Sequence, residues 1–139
     1  MKLCYMNIIK YSFQQHSDSR GRLVAVEQQK DIPFEIKRVY YIYAMQPDVH
    51  RGFHAHKTLE QMLICVHGSC KILLDDGTER AIVALDEPYE GLYVSKYVWH
   101  EMFGFSPNAV LLVLASDVYN KDDYIRNYDE FLALIKEEQ

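Results

Sequence analysis

The pattern that most limits the fold is the run 61–85, QMLICVHGSCKILLDDGTERAIVAL. Apolar and β-branched residues fill three short segments, and turn residues separate them at Gly68-Ser69 and at Asp76-Gly77. Short segments joined by tight turns of this kind are typical of neighbouring antiparallel strands. The run therefore predicts three consecutive strands.

Further strand-like segments occupy residues 22–28, 36–43, 91–103 and 109–116, and the four prolines lie between these segments. One helix is predicted near the end, where apolar residues from Tyr124 to Ile135 recur at spacings of three and four, with Asn120 or Asp122 as its cap. Many short strands with one terminal helix indicate an all-β jelly-roll with a C-terminal α-helix. Folds of this kind bind ligands at the mouth of a hollow interior.

Length and charge narrow the class of protein. A chain of 139 residues predicts a single domain over 1–139, and a net charge of −5 argues against nucleic-acid binding. No apolar run approaches the ~18 residues of a membrane span. The three cysteines, Cys4, Cys65 and Cys70, form no CxxC pair, which argues against a disulfide framework and a structural zinc site. We expect a cytoplasmic protein with reduced thiols.

The segment RGFHAHKTLEQ, residues 51–61, contains the main candidates for catalytic or metal-binding residues. In an extended strand His54 and His56 point to the same face, with Cα atoms about 6.5–7 Å apart. Glu60 and the distant His100 could reach the same cavity. Three histidines and a carboxylate would suit manganese, iron, nickel or zinc.

The same two histidines also suit proton transfer. Imidazoles on one wall of a cavity can remove and relay protons near neutral pH, and Arg51 could orient an anionic substrate. A third interpretation is a surface strand that merely tolerates histidines. Polar and aromatic groups on neighbouring strands weigh against that third interpretation.

Neighbouring strands offer groups for a nucleotide or a phosphorylated sugar. Arg38 and Tyr40 share one face of their predicted strand. Tyr93 and Tyr97 are expected on one face of another strand, where rings can stack and hydroxyls can bind a sugar. Lys71 could add positive charge.

Five segments together resemble the sugar 3,4-ketoisomerases of the cupin superfamily, which act on dTDP-4-keto-6-deoxyglucose. These segments are DSRGRLVAVE, IPFEIKRVYYIY, RGFHAHKTLEQMLICVHGSCKILLDDG, GLYVSKYVWHEM and VLASDVYNKDDYIRNYDEF. The resemblance extends from about residue 17 to residue 131. The second half of the cupin metal motif is degraded, because Lys96 and Tyr97 stand where cupins usually carry proline and glycine.

The resemblance implies a homodimeric jelly-roll without metal or cofactor that converts a 4-keto into a 3-keto nucleotide sugar. Members of the family make gluco- or galacto-configured products, and of the two we expect the galacto product here. A pyridoxal-phosphate aminotransferase would then make a 3-amino sugar for an O-antigen, S-layer glycan or antibiotic. By analogy His54 is the carbon base, His56 carries a proton between two oxygens, and Glu60 orients a histidine. The implied substrate contacts are Arg20, Arg38, Tyr40, Arg51, Lys71, Tyr93 and His100.

Two alternatives stay open beside this interpretation. One is a metal-dependent cupin enzyme with His54, His56, Glu60 and His100 as ligands. The other is a non-catalytic nucleotide-sugar-binding module, although the chain has no basic helix-turn-helix region to couple such a sensor to DNA. For the histidine mechanism, an unperturbed imidazole base predicts that activity falls below about pH 6–7.

Overall fold

The computed structural model describes residues 7–138. They form two five-stranded antiparallel sheets and a separate two-stranded hairpin, as a jelly-roll with a C-terminal helix. The predicted all-β fold class is thus confirmed. The strands are β1 (Ile9–Ser12), β2 (Gln15–Asp18), β3 (Gly21–Val24), β4 (Arg38–Ile42), β5 (Arg51–His56), β6 (Gln61–His67), β7 (Cys70–Asp75), β8 (Arg80–Leu85), β9 (Glu90–Val94), β10 (Trp99–Phe103), β11 (Val110–Ala115) and β12 (Tyr124–Ile125).

The strand order explains how distant segments meet at one site. The first sheet has the order β1-β9-β6-β11-β4, and the second has the order β12-β5-β10-β7-β8. The strand β5 therefore lies between β10 and the short β12, although these three strands are far apart in the chain. In β5, His54 therefore lies opposite His100 of β10, and His56 lies opposite Tyr124 of β12.

The main core joins both sheets, because residues of β6, β9 and β11 from the first sheet and of β7, β8 and β10 from the second point to it. In β6, Leu63 and Cys65 enter this core, whereas Met62 and Ile64 enter a second cluster with Phe13. Both faces of β6 are buried in this way, which explains its continuous apolar sequence.

The C-terminal helix α1 (Tyr128–Glu138) begins four residues later than the periodicity predicted. Tyr124 and Ile125 belong to β12 instead, where they pair with His56 and Ala55. Asn120 caps a short 3-10 helix (Lys121–Asp123), and the side chain of Asn127 accepts the hydrogen bond that caps α1. Helix α1 packs Phe131 against Trp99, with ring centroids 5.8 Å apart.

The predicted strand over 91–103 is two strands, β9 and β10, joined by a turn. Tyr97 lies in that turn with a φ of 58°, so it does not continue the face that Tyr93 occupies. The strands β1 and β2 were not predicted. Cys4 lies outside the described residues, and Cys65 and Cys70 are buried free thiols. In the range 7–138, none of the helical segments has the length and apolar character needed to cross a bilayer.

Candidate active site

A bulge in β5 positions the first histidine. His54 pairs with His100 and Gly52 pairs with Glu101, so Phe53 is an extra residue opposite a continuous β10. Gly52 has a φ of 95°, and a Cβ at this position would lie 2.8 Å from the backbone oxygen of His100, so a side chain is excluded here. The bulge brings the Gly52 carbonyl oxygen within 2.9 Å of His54 Nδ1.

Three buried histidines then form one cluster. The ring centroid of His54 lies 4.9 Å from that of His56 and 4.6 Å from that of His100, and the last two are 5.9 Å apart. One nitrogen from each ring lies within 4.8 Å of the other two. The sequence spacing predicted the first pair, and the pairing of β5 with β10 adds the third ring.

Hydrogen bonds assign the same tautomer to all three rings. Each Nδ1 faces an oxygen that can only accept: the Gly52 carbonyl for His54, an Asp123 carboxylate oxygen at 3.1 Å for His56, and the Val98 carbonyl at 3.1 Å for His100. A neutral ring must then carry its proton on Nδ1 and a lone pair on Nε2. The Nε2 atoms of His56 and His100 are buried without a hydrogen-bond partner among the described residues. The cluster can therefore accept protons or hold a metal.

Burial keeps these imidazoles neutral at pH 7. It lowers the pKa of His56 to about 4, and the neighbouring His54 adds to that shift while Asp123 opposes it. Burial likewise lowers the pKa of His100 to about 3. The pKa of His54 is lowered by burial, against the hydrogen bond from its ring to Gly52. A desolvated neutral imidazole is the form that can act as a base.

An open cavity of about 400 Å³ lies in front of His54. Its volume falls in the ~300–1,000 Å³ range of small-molecule sites. Three guanidinium groups, from Arg38, Arg51 and Arg126, contribute to its lining in a chain whose net charge is −5. Such a concentration of arginines favours a phosphorylated ligand. The full lining is Arg38, Val39, Tyr40, Ile42, Arg51, Gly52, His54, Met102, Tyr124 and Arg126.

Tyr40 presents a polarised hydroxyl to this cavity. The side-chain amide of Gln61 donates to the Tyr40 oxygen over 2.9 Å, so the proton of that hydroxyl stays free for a ligand. Burial raises the pKa of Tyr40, which keeps the hydroxyl protonated. The Arg38 guanidinium lies 5.0 Å from the centroid of the Tyr40 ring. Tyr40 can therefore donate a hydrogen bond to an oxygen anion.

Sequence reasoning missed three residues of the site. Asp123, Tyr124 and Arg126 lie where the helix was expected to begin, yet β12 brings this segment against β5. Tyr124 packs its ring 4.5 Å from that of His56, and the Arg126 guanidinium lies 4.3 Å from the Tyr124 centroid. The acidic pair in the segment KDDYIR was the available signal for a functional site. Local spacing could not predict that Asp123 of this pair contacts His56.

The expectation that Glu60 ligates a metal or orients a histidine is wrong. The Tyr93 hydroxyl donates to the Glu60 carboxylate, and Glu60 is not part of the histidine cluster. Asp123 is instead the carboxylate that contacts a histidine of the cluster, His56. The predicted four-ligand set is therefore reduced to the three histidines.

Of the other predicted contacts, Arg38, Tyr40 and Arg51 line the cavity, and His100 lies behind it in the cluster. The remaining three residues do not line it. Tyr93 packs 6.4 Å from Phe34, and Lys71 is exposed on β7. Arg20 lies at the tip of the β2–β3 hairpin and is paired with Asp18. These placements do not support direct contacts from Lys71, Tyr93 or Arg20 to a ligand in this cavity of the same chain.

Comparison with known proteins gives consistent matches. The family model described as "FdtA: WxcM-like, C-terminal" matches residues 6–136. The TDP-4-oxo-6-deoxy-alpha-D-glucose-3,4-oxoisomerase of Aneurinibacillus thermoaerophilus is 56% identical over 124 residues, which are 89% of each chain.

Solved structures agree with these sequence matches. A histidine-to-asparagine mutant of the 3,4-ketoisomerase QdtA from Thermoanaerobacterium thermosaccharolyticum, in complex with TDP-4-keto-6-deoxyglucose, has a TM-score of 0.93 and 46% identity over 96% of this chain and 97% of that one. The TDP-quinovose 3,4-ketoisomerase WlaRB of Campylobacter jejuni has a TM-score of 0.88 and 51% identity over 93% and 99%. The chain therefore belongs to the FdtA-like family of sugar 3,4-ketoisomerases, which are isomerases with a cupin-type jelly-roll.

Proposed function

We propose that this protein converts TDP-4-keto-6-deoxyglucose into a TDP-3-keto-6-deoxyhexose. The observation that carries the proposal is the pair His54 and His56: His54 lines the cavity that also contains the arginines, and the ring of His56 lies directly behind it, with centroids 4.9 Å apart. The substrates in the names of the two relatives, from Aneurinibacillus and Thermoanaerobacterium, support the choice of nucleotide sugar.

The reaction needs two groups that carry protons. Because it is an isomerisation, it needs no external oxidant or reductant. The C4 ketone acidifies the hydrogen on C3, and His54 Nε2 removes it to give an enediolate across C3 and C4. His56 accepts the proton of the C3 hydroxyl at Nε2 and delivers it to the C4 oxygen. His54 then returns its proton to C4, which leaves the ketone on C3. Two imidazoles on one strand face suit this division of work.

Charge develops on the substrate oxygens during this transfer. The Tyr40 hydroxyl and the guanidinium groups are the donors that would stabilise the enediolate. We assign Arg38 and Arg51 to the diphosphate or the sugar, since arginine binds phosphate oxygens in pairs. Arg126 adds a third positive group at the same cavity.

We also propose the galacto product. A single base that serves both carbons returns the C4 proton to the face from which it took the C3 proton, and in a gluco substrate this places the new C4 hydroxyl axial. The gluco product would require a donor on the opposite face. His54 is the one base we assign to the carbons, so same-face transfer follows from that assignment.

Product analysis tests the reaction. With TDP-4-keto-6-deoxyglucose in water, we expect NMR to show a 3-keto sugar with the small H4–H5 coupling of the galacto form. In deuterium oxide the label should enter the ring at C4. A large H4–H5 coupling would contradict same-face transfer, and an unchanged, unlabelled sugar would favour the non-catalytic binding module.

Exchange of single histidines separates the two roles. We expect His54→Asn and His56→Asn each to lower kcat by about 10²–10⁴-fold, the usual contribution of a general acid or base. His54→Asn should also stop solvent exchange at C3, because nothing else removes that proton, whereas His56→Asn should retain exchange. His67→Asn is the control, because His67 is exposed, does not line the cavity, and its ring Nδ1 faces the Asn108 carbonyl at 2.8 Å. Near-wild-type turnover in either cluster variant would contradict its assigned role.

The pKa shifts correct the pH dependence expected from unperturbed imidazole. The active form of each base is neutral, and burial lowers both pKa values, to about 4 for His56. We therefore expect kcat/KM to stay nearly constant from pH 8 to below pH 6 and to fall only as the pH approaches the lowered values. Circular dichroism at each pH separates this fall from unfolding. A midpoint near pH 6.5 would contradict neutralisation by burial.

A metal-dependent isomerase is the second candidate, because the three histidine nitrogens lie within 4.8 Å of one another. His54, His56 and His100 would then hold an ion such as Zn²⁺, which supplies Lewis-acid polarisation of substrate oxygens. We expect turnover to survive extensive chelation, with less than stoichiometric metal by mass spectrometry of the purified protein. Loss of activity on chelation and recovery with one metal would favour the alternative.

We propose a homodimer as well. Val39 and Tyr41 on the edge strand β4, and Tyr43 just after it, have exposed side chains, with the two tyrosine rings 6.0 Å apart. An apolar sheet edge of this kind is normally covered. Analytical ultracentrifugation should give twice the chain mass of 16.4 kDa. A monomer at micromolar concentration would contradict the proposal.

A further inference from the structure

One carboxylate collects four hydrogen bonds beside the histidine cluster. Asp123 Oδ1 accepts from the backbone N–H of Thr58 at 2.9 Å and from the Thr58 hydroxyl at 2.8 Å. Asp123 Oδ2 accepts from Leu59 N–H at 3.3 Å and from His56 Nδ1 at 3.1 Å. Both oxygens are thus held by fixed donors, and the carboxylate cannot rotate away from the ring.

The three histidines are held in different ways. Backbone carbonyls two residues earlier in the chain hold His54 and His100. His56 lacks a local acceptor of this kind, because its Nδ1 faces a side chain 67 residues later in the sequence. The orientation of His56 therefore depends on Asp123.

We propose that Asp123 is the positioning residue that makes His56 the oxygen-to-oxygen proton carrier. Asp123 can only accept from the ring, so it fixes the proton on Nδ1 and leaves the Nε2 lone pair for the substrate hydroxyl. A His56 ring with its proton on Nε2 would have no lone pair for that hydroxyl. This inference rests on the proposed function, since it assigns a role within the same reaction.

The variant Asp123→Asn reverses the hydrogen bond at constant size. Two Thr58 donors retain the amide oxygen at the Oδ1 position, so the amide NH₂ takes the Oδ2 position, where it donates to His56 Nδ1 and no longer accepts from the Leu59 N–H. The ring must then move its proton to Nε2. We expect kcat to fall about 10²–10⁴-fold, with KM changed less than about threefold. The upper figure follows the loss of about 10⁴ seen when the triad aspartate of a serine protease is changed to asparagine.

Two further variants are matched controls. Thr58→Val removes one donor from the same carboxylate and leaves the bond to His56, so we expect kcat within about threefold of wild type. Asp123→Glu retains a carboxylate and should recover more turnover than Asp123→Asn. If Asp123 only stabilised the fold, Thr58→Val and Asp123→Asn would lower kcat to a similar extent, and that result would overturn the inference.

Nitrogen-15 NMR of the labelled histidines gives a readout that does not need activity. Two-bond proton–nitrogen correlations should assign the Nδ1–H tautomer to His56 in the wild type and the Nε2–H tautomer in Asp123→Asn. An Nε2–H ring in the wild type would overturn the inference, even in an active enzyme and even if Asp123→Asn fails to fold. A wild type that leaves the 4-keto sugar unchanged would contradict the proposed function, while the tautomer remains measurable.

Discussion

The bulged pairing of β5 with β10 is the constraint on which the site depends. A regular ladder would alternate the side chains of β5 without interruption, but the extra Phe53 shifts the register by one residue. The shift places His54 opposite His100 and turns a backbone carbonyl towards the first ring. Gly52 packs closely against the backbone of β10. The positions of the histidines therefore also depend on how the second sheet is packed.

The site combines buried neutral bases with cationic groups at its opening. Burial disfavours protonated histidine, whereas an arginine remains charged at any physiological pH. On the proposed function, the diphosphate would bind against these arginines and the sugar would lie against the histidines. The two sets of groups also influence each other, because, in addition to burial, the charge of Arg126 lowers the pKa of His54 and the charge of Arg38 lowers the pKa of His56.

Local patterns predicted the fold class and about half of the site. The spacing of His54 and His56 was informative because a strand repeats every two residues, and the same rule placed Arg38 beside Tyr40. The rule failed at Tyr97, where a tight turn interrupts an apparently continuous strand. It also failed for Asp123, whose partner is fixed by the pairing of β12 with β5, a contact between segments far apart in the sequence. Local periodicity does not determine which distant strands pair or which of their residues lie opposite one another.

The segment at 123–126 also has a consequence for protein synthesis. A nascent chain acquires both proposed catalytic histidines first, and the carboxylate that contacts His56 follows 67 residues later, close to the tyrosine and the third arginine. All the strands from β6 to β12 must therefore be synthesised before the site is complete. Translation products that stop before residue 123, and molecules cleaved before it, would retain the histidine motif and most of the strands, but they would carry an unfinished site.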